Sequence, residues 1–305
     1  MSNTSPVQPD PSVIGGVAKA PFVRLPDPAI VFARRAARLR VLAGSGELGP
    51  YLALLADVAE AQAAILPLLP ETPAPSPDVL ERGRQFAMPP LDRTALMPDA
   101  PLRETCQSLF DALVPALKPD AAQAALGRLR TGDDRSLEAM VATVLTDQPP
   151  ADALAEYVFT ASALQVHFTR LAAGLAGDRL VPVSVGVCPV CGARPGVSVI
   201  SGWYGAEGAR YAACSLCSTL WNEVRVKCLG CGSTEGVGYQ EIEGQGGTVK
   251  AETCDVCEGY LKVLYQDKDT ALDPVADDVA SLALDQLLGG TVYRRLGANP
   301  FLAGY

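Results

Sequence analysis

Eight of the nine cysteines in this 305-residue chain lie in four CxxC pairs that repeat with a period of 40 residues. The pair Cys188–Cys191 corresponds to Cys228–Cys231, and Cys214–Cys217 corresponds to Cys254–Cys257. In both copies 22 residues separate the two pairs. An internal repeat of this regularity indicates two small, similar modules in tandem.

The spacing within each pair has a physical reason. Two intervening residues allow a tight turn that points both sulfurs at one ion. Glycine follows the second cysteine at Gly192 and Gly232, where it can take a left-handed backbone conformation. The stretch between pairs has the pattern of a β-hairpin, which would bring two turns together. The predicted metal ligands are Cys188, Cys191, Cys214 and Cys217 at site 1 and Cys228, Cys231, Cys254 and Cys257 at site 2.

Other arrangements of the cysteines are weighed against this one. Disulfides or dithiol redox pairs are disfavoured, since a thioredoxin-like motif expects a βαβ context and these pairs lie between short strands. Four thiolates suit either zinc or a single iron, and the spacing separates the two metals poorly. A closed cage also leaves no coordination position for substrate, which argues against catalysis at the metal.

The rest of the chain is read from its helical periodicity. Asp27-Pro28 is a helix start signal, and apolar residues recur at spacings of three and four from about Ala151 to Ala176. The predicted fold class is therefore α+β, with an N-terminal all-helical bundle of about six helices, two tandem rubredoxin-like or zinc-ribbon-like modules and a closing helix. The predicted boundaries are a flexible N-terminal arm (1–25), the helical domain (26–180), the first module (181–227), the second module (228–270) and a C-terminal helix and tail (271–305).

Charge and hydropathy limit the partners. The formal net charge is −9, which argues against a general affinity for nucleic acid or an anionic membrane. The first residues lack the pattern of a secretory signal, and no apolar run approaches the length of about 18 residues that a membrane span needs. We therefore expect a cytoplasmic protein without membrane insertion, in a compartment where paired cysteines are metal ligands or redox thiols.

Four isolated residues have ordinary structural interpretations. His167 is the only histidine and lies among apolar residues of the long helix, so a packed histidine is expected rather than a catalytic one. Cys106 lacks a CxxC partner and is expected to be a buried apolar residue. Trp203, like Trp221, flanks the first cage, where it could shield the sulfurs, pack the modules together or anchor a partner.

Two clusters of charge are interpreted from their positions on helices. Arg34, Arg35 and Arg38 share a helix face, which is expected to face solvent and is a minor candidate for docking an acidic partner. Asp277-Asp278 is expected to lie in the first turn of the closing helix, where carboxylates favour the helix dipole. That helix is predicted to start at Asp273-Pro274 and to run unbroken through VADDVASLALDQLL.

The cysteine region resembles a known family. The string that carries the likeness is CPVCG, YAACSLCSTLWNEVRVKCLGCG, VKAETCDVCEGYLKVLYQDKD and ADDVASLALD, with FARRAARLR near the start and NPFL near the end. It is similar to the bacterial formate dehydrogenase accessory protein FdhE family over nearly the whole chain. The cysteine motifs are highly specific, whereas the helical half agrees in outline only.

The resemblance implies a function and a metal. It implies a cytoplasmic maturation factor that binds the catalytic subunit of molybdenum- or tungsten-containing formate dehydrogenase and is not itself an enzyme. It implies an all-helical domain, two rubredoxin-like modules and iron at the eight matching cysteines, with zinc remaining possible. The alternative is an iron-tetrathiolate protein for electron transfer or redox sensing.

Overall fold

The computed structural model describes residues 20–44, 46–72, 74–96, 98–244 and 246–305. Most of the predicted arm over residues 1–25 therefore lies outside the described residues. At its end, Val23–Arg24 form a short strand, β1, paired antiparallel with a later strand at Trp221 and Leu220. The chain thus enters the helical domain already attached to the sheet.

Seven helices make up the N-terminal half within the described residues, one more than the six expected. Their bounds are α1 (Pro28–Leu42), α2 (Gly49–Ile65), α3 (Pro77–Gln85), α4 (Ala100–Leu113), α5 (Asp120–Thr131), α6 (Asp134–Leu145) and α7 (Leu154–Ala173). Helix α1 begins at the predicted Asp27-Pro28 start signal. The side chain of Asp27 accepts a hydrogen bond from the backbone N–H of Ala29 at 3.0 Å, and Pro28 is the first helical residue.

The long helix α7 forms the centre of this domain. Buried residues occur on all of its faces, including Phe159, Leu164 and Phe168. A helix that is apolar all round is surrounded by protein. Helices α2, α4, α5 and α6 pack around it. The predicted helical bundle with a central helix is confirmed.

One helix is apolar enough to resemble a membrane span. The segment Gly49–Leu68 meets the length and hydropathy of a bilayer-crossing helix, with 44% of that window buried. The expectation that no segment reaches this length and apolarity is wrong for α2. This helix is apolar because it packs inside the helical domain. Its core residues include Leu52, Leu55, Val58 and Ile65.

The two modules share one sheet. The strands are β2 (Pro195–Ile200), β3 (Arg210–Cys214), β4 (Leu220–Glu223), β5 (Val237–Gln240), β6 (Val249–Cys254) and β7 (Gly259–Tyr265). Each module is a three-stranded antiparallel meander, and parallel pairing of β2 with β7 joins the meanders in the order β1-β4-β3-β2-β7-β6-β5. The hairpins connect neighbouring strands, so the sequence pattern predicts them. The pairing of β2 with β7 joins residues that are distant along the chain, such as Ser198 and Val263, and no local pattern predicts it.

The closing segment differs from its prediction. The expected single helix is two short helices, α8 (Ala276–Ala280) and α9 (Leu282–Gly289), separated at Ser281. The Ser281 hydroxyl donates to the carbonyl of Asp277 at 2.7 Å and accepts from the Lys262 ammonium at 3.0 Å. A hydroxyl that bonds back to the preceding turn competes with regular helix geometry. A short strand, β8 (Arg294–Arg295), then pairs with β7.

Two of the arginines assigned to a solvated face are internal. Arg35 is 2% exposed and forms an ion pair with Asp273 at 3.4 Å, and Arg38 forms one with Asp277 at 2.7 Å. Only Arg34 of the three is exposed. The prediction of a solvated face is therefore wrong for two of its three residues, because the closing segment covers that side of α1.

Asp277 and Asp278 lie in the first turn of the closing helix, as the sequence predicts, and both are buried. Asp278 is fully buried between Lys262 and Arg295, and its neighbour Asp277 is 4% exposed. Burial opposes ionisation of Asp278, yet its pKa is lowered because Arg295 and Lys262 stabilise the carboxylate. These aspartates attach the closing segment to the sheet and to α1.

Candidate metal centres

The structure gathers the eight CxxC cysteines into two quartets. Within each quartet all four sulfurs lie within 4.8 Å of one another. The groups are the expected ones, Cys188, Cys191, Cys214 and Cys217 at site 1 and Cys228, Cys231, Cys254 and Cys257 at site 2. The repeat therefore predicted the grouping correctly, and each module contains one complete four-cysteine site that could bind a metal ion.

The sulfur separations fit a tetrahedral cage. At site 1 the Sγ atoms of Cys188 and Cys217 are 3.6 Å apart, and at site 2 those of Cys231 and Cys254 are 3.7 Å apart. Four sulfurs at about 2.3 Å from one ion would be separated by about 3.8 Å in a regular tetrahedron. All nine cysteines are free thiols in the structure. The donor set and its dimensions therefore fit a single thiophilic ion at each site.

The first turn of each cage repeats in backbone detail. The N–H of Cys188 donates to the carbonyl of Ala193 at 2.8 Å, and the N–H of Cys228 donates to that of Ser233 at 2.8 Å. Gly192 and Gly232 have φ of 77° and 81°, as the sequence predicts for the left-handed position. These turns point both sulfurs inward.

The second turn of each cage reaches the same conformation without glycine. Ser218 and Glu258 follow the last cysteine of their modules and have φ of 57° and 54°. Such a conformation is uncommon in residues that carry a side chain. Because these positions hold serine and glutamate rather than glycine, residue type did not reveal the left-handed conformation. Their equivalence to Gly192 and Gly232 in the CxxC turn is the signal that could have predicted it.

Site 1 is buried in the protein. Its four cysteines are at most 3% exposed. Burial raises the pKa of the Cys188 and Cys191 thiols well above the usual value. Burial also opposes ionisation of Cys214, but hydrogen bonds from the neighbouring thiols leave its pKa well below the usual value. Several thiolates in such an interior would need a cation for compensation.

The helical domain holds both turns of site 1. The Gln165 amide on α7 donates to the carbonyl of Ser215 at 2.7 Å, and the Thr169 hydroxyl bonds to that of Ser218 at 3.2 Å. On the other side, the N–H of Leu91 donates to the carbonyl of Val190 at 2.9 Å. Site 1 is thus part of the junction between the helical domain and the sheet.

Site 2 is close to the surface. Cys228 and Cys254 are buried, whereas Cys231 and Cys257 are exposed. A backbone N–H at Ser233 donates to the Cys231 sulfur and lowers its pKa. The difference in exposure between the sites follows from their neighbours, which sequence spacing does not contain.

The isolated residues lie where they were expected, outside both quartets. His167 is 1% exposed, and burial lowers its pKa to about 4. Cys106 is fully buried in α4, and burial raises its pKa to about 12. Trp221 packs in the core that includes the site 1 cysteines, and Trp203 stacks beside Tyr211 with 5.2 Å between ring centroids.

Comparison with known proteins covers both the helical domain and the cages. Three family models match in sequence: "FdhE, N-terminal" at residues 20–185, "FdhE, central domain" at 187–225 and "FdhE, C-terminal domain" at 226–302. The chain belongs to the FdhE family. The resemblance seen in the cysteine motifs is thereby confirmed along the chain.

Individual FdhE proteins agree with this assignment. A "Protein FdhE homolog" of Rhizobium meliloti is 52% identical, covering 99% of this chain and 100% of the relative. Another FdhE homolog, from Cronobacter sakazakii, is 36% identical over 89% of this chain and 88% of the relative. The crystal structure of the FdhE protein from Pseudomonas aeruginosa aligns with a TM-score of 0.84 at 34% identity, covering 93% of this chain and 99% of that one. Membership of the family supports an accessory role in formate dehydrogenase maturation.

Proposed function

We propose that this FdhE-family chain is a non-enzymatic maturation factor that binds the catalytic subunit of formate dehydrogenase in the cytoplasm. The single observation that carries the proposal is the position of site 1, a four-thiol cage built into the junction of the helical domain and the sheet. A closed cage has no open coordination position for substrate, so its contribution is to shape the surface around it.

The proposed ligands are the eight cysteines of the two quartets. Each quartet would hold one ion, with iron favoured by the family resemblance and zinc possible. When bound, the ion supplies a cross-link among four sulfurs and, in the case of iron, one-electron chemistry. The cysteine turns supply the donor geometry, and the surrounding protein excludes water from site 1 but not from site 2.

The proposal is tested by co-purification. The tagged protein is isolated from cells that make formate dehydrogenase, and the catalytic subunit is quantified in the eluate. We expect recovery with wild type and a clear loss with Cys191→Ser. Cys106→Ser changes a cysteine outside both quartets and is the matched control, expected to recover client like wild type. Equal, negligible recovery from all three proteins would contradict the proposed function.

A second candidate function is favoured by the exposure of site 2. Exposed Cys231 and Cys257 bring that site within reach of an external electron donor or acceptor, as an iron-tetrathiolate redox protein would require. The discriminating measurement is client activation by protein loaded with zinc alone. Full activation by the zinc form would exclude the redox function, since zinc does not change oxidation state.

A further inference from the structure

Helix α3 is a peripheral helix with apolar neighbours left at the surface. Gly83 is its only buried residue. Directly after the helix, Phe86 is 61% exposed and Met88 is 47% exposed. Single exposed apolar side chains are ordinary, but Phe86 and Met88 lie two positions apart and Met88 also lines two cavities, a combination that marks an interaction site.

Two cavities meet at this patch. Their volumes are about 160 and 480 Å³, and both are lined by Gly83, Met88 and Pro90. The walls are largely apolar and come from α3, the segment after α3, α7 and the segment after α7. The apolar wall residues are Leu80, Leu175, Leu180 and Val181 in the first cavity and Leu91, Leu96, Phe168 and Leu171 in the second. We call the two joined cavities the α3 groove.

The α3 groove is fixed to site 1. The N–H of Met88 donates to the carbonyl of Gly83 at 2.8 Å, which holds the exposed segment against the end of α3. A few residues on, the N–H of Arg93 donates to the carbonyl of Cys191 at 3.1 Å. Pro189, inside the first CxxC turn, lines the smaller cavity. A change in the conformation of the site 1 cage would therefore alter the α3 groove, because Pro189 is part of both.

The rim of the groove carries basic side chains. Arg82 and Arg84 are exposed, and among the described residues no carboxylate lies within ion-pair distance of either. Arg179 lies 4.0 Å from Glu81. Asp92, the other carboxylate on the lining, accepts hydrogen bonds from Thr94. The chain has a net charge of −9, so a groove that combines unpaired guanidinium groups with apolar cavities differs in charge from the protein as a whole.

We propose that the α3 groove docks an acidic amphipathic segment of a partner protein. Apolar side chains of that segment would enter the two cavities, and its carboxylates would pair with Arg82 and Arg84 at the rim. This is the helix-in-groove mode of recognition, in which spaced apolar anchors supply affinity and charges select the partner. That the partner is the formate dehydrogenase catalytic subunit rests on the proposed function.

The test is photocrosslinking in cells that make formate dehydrogenase. The full chain carries Phe86→p-benzoylphenylalanine, and the adduct is mapped by mass spectrometry. We expect a crosslink to an acidic amphipathic segment of the catalytic subunit. The double variant Arg82→Glu/Arg84→Glu should lower the yield about tenfold, because two favourable contacts become repulsive. Arg135→Glu, an exposed arginine on α6, is the matched control and should leave the yield unchanged.

The other outcomes are distinguishable. A catalytic subunit that co-purifies without an adduct at Phe86, or that crosslinks only when the probe replaces exposed Val256 beside site 2, overturns the groove and leaves the proposed function intact. An adduct with an acidic segment of another protein supports the groove and contradicts the proposed client. An adduct with a second copy of this chain, with a basic segment, or with no protein at all overturns the groove.

Discussion

Cys191 and Cys231 occupy the same position in the two copies of the repeat, with the same turn and similar sulfur separations. Cys191 is fully buried and its module is held by α7, whereas Cys231 is exposed. The second module is covered on one side by the closing segment, where Leu296 lies against Gly230 and Gly259. Identical ligand spacing thus serves two different settings, one inside the core and one at the edge of the sheet.

Because the two cages differ in burial, loss of the metal ion should have different structural consequences at site 1 and at site 2. Loss of the ion at site 1 would leave sulfurs and turns unsupported at the centre of the molecule. Loss of the ion at site 2 would affect strands that are partly solvated already, such as β5, where Tyr239 is 41% exposed. The predictions below test this contrast, from the largest expected effect to the smallest.

The largest effect is expected from a matched pair of ligand substitutions. Cys191→Ser and Cys231→Ser should each remove one ion. Cys191→Ser should lower the free energy of unfolding by at least about 3 kcal/mol more than Cys231→Ser, because it leaves buried sulfurs uncompensated. The measurement is denaturant unfolding of both variants in parallel. Equal destabilisation would show that burial does not distinguish the cages.

The joint between the modules is the next test. Arg210 on β3 and Glu252 on β6 form an ion pair at 2.8 Å across the modules, with side chains 0% and 4% exposed. Arg210→Met should cost about 3 kcal/mol of unfolding free energy, since the Glu252 carboxylate stays buried without its partner. Replacing both residues with Met should recover most of that loss, and chemical denaturation measures both. A double variant as unstable as the single one would contradict a pairwise role.

A pH effect is expected from the histidine beside the first module. His167 lies on α7 between the residues that hold site 1, and its pKa is lowered to about 4 by burial. The unfolded chain, with a histidine pKa near about 6.5, binds more protons between these values, so stability falls as pH falls. From pH 7 to 5 the loss attributable to His167 should be about 2 kcal/mol.

The comparison that isolates this histidine is His167→Gln. Unfolding free energies of wild type and variant are measured at both pH values, and the wild type should lose more. Other groups that titrate in this range cancel in the difference. An equal loss of unfolding free energy in both proteins would show that protonation of His167 does not cause the pH dependence.

The smallest effect concerns the rate of metal release. A chromogenic chelator should withdraw the two ions in separate phases of one equivalent each, with site 2 faster because Cys231 and Cys257 are exposed. A tenfold separation corresponds to about 1.4 kcal/mol between the local opening free energies. The fast phase should be absent from Cys231→Ser and present in Cys191→Ser. A single phase releasing both equivalents would contradict the contrast.

The sequence predicted what depends on local spacing. The left-handed Gly192 and Gly232 and the periodicity of α7 are encoded within short windows, and the grouping of the cysteines is encoded in the 40-residue repeat. These features need only spacing along the chain to be inferred. The helical domain, the two modules and the cysteine quartets could therefore be predicted from the sequence.

Features that depend on contacts between distant segments were missed. Arg35 and Arg38 are charged residues on a helical pattern, which by itself indicates solvent exposure. In the structure their partners come from residues more than 200 positions away. The pairing of β2 with β7 and the burial of site 1 have the same origin. Periodicity reports which residues share a face, but not which segment covers that face.

The most direct test of the account is the metal content of anaerobically purified protein by elemental analysis. The central claim is that each quartet closes around one ion. Wild type and Cys106→Ser should contain two ions per chain, and Cys214→Ser should contain one. A folded wild type without stoichiometric metal, or equal metal content in Cys214→Ser and Cys106→Ser, would contradict the claim.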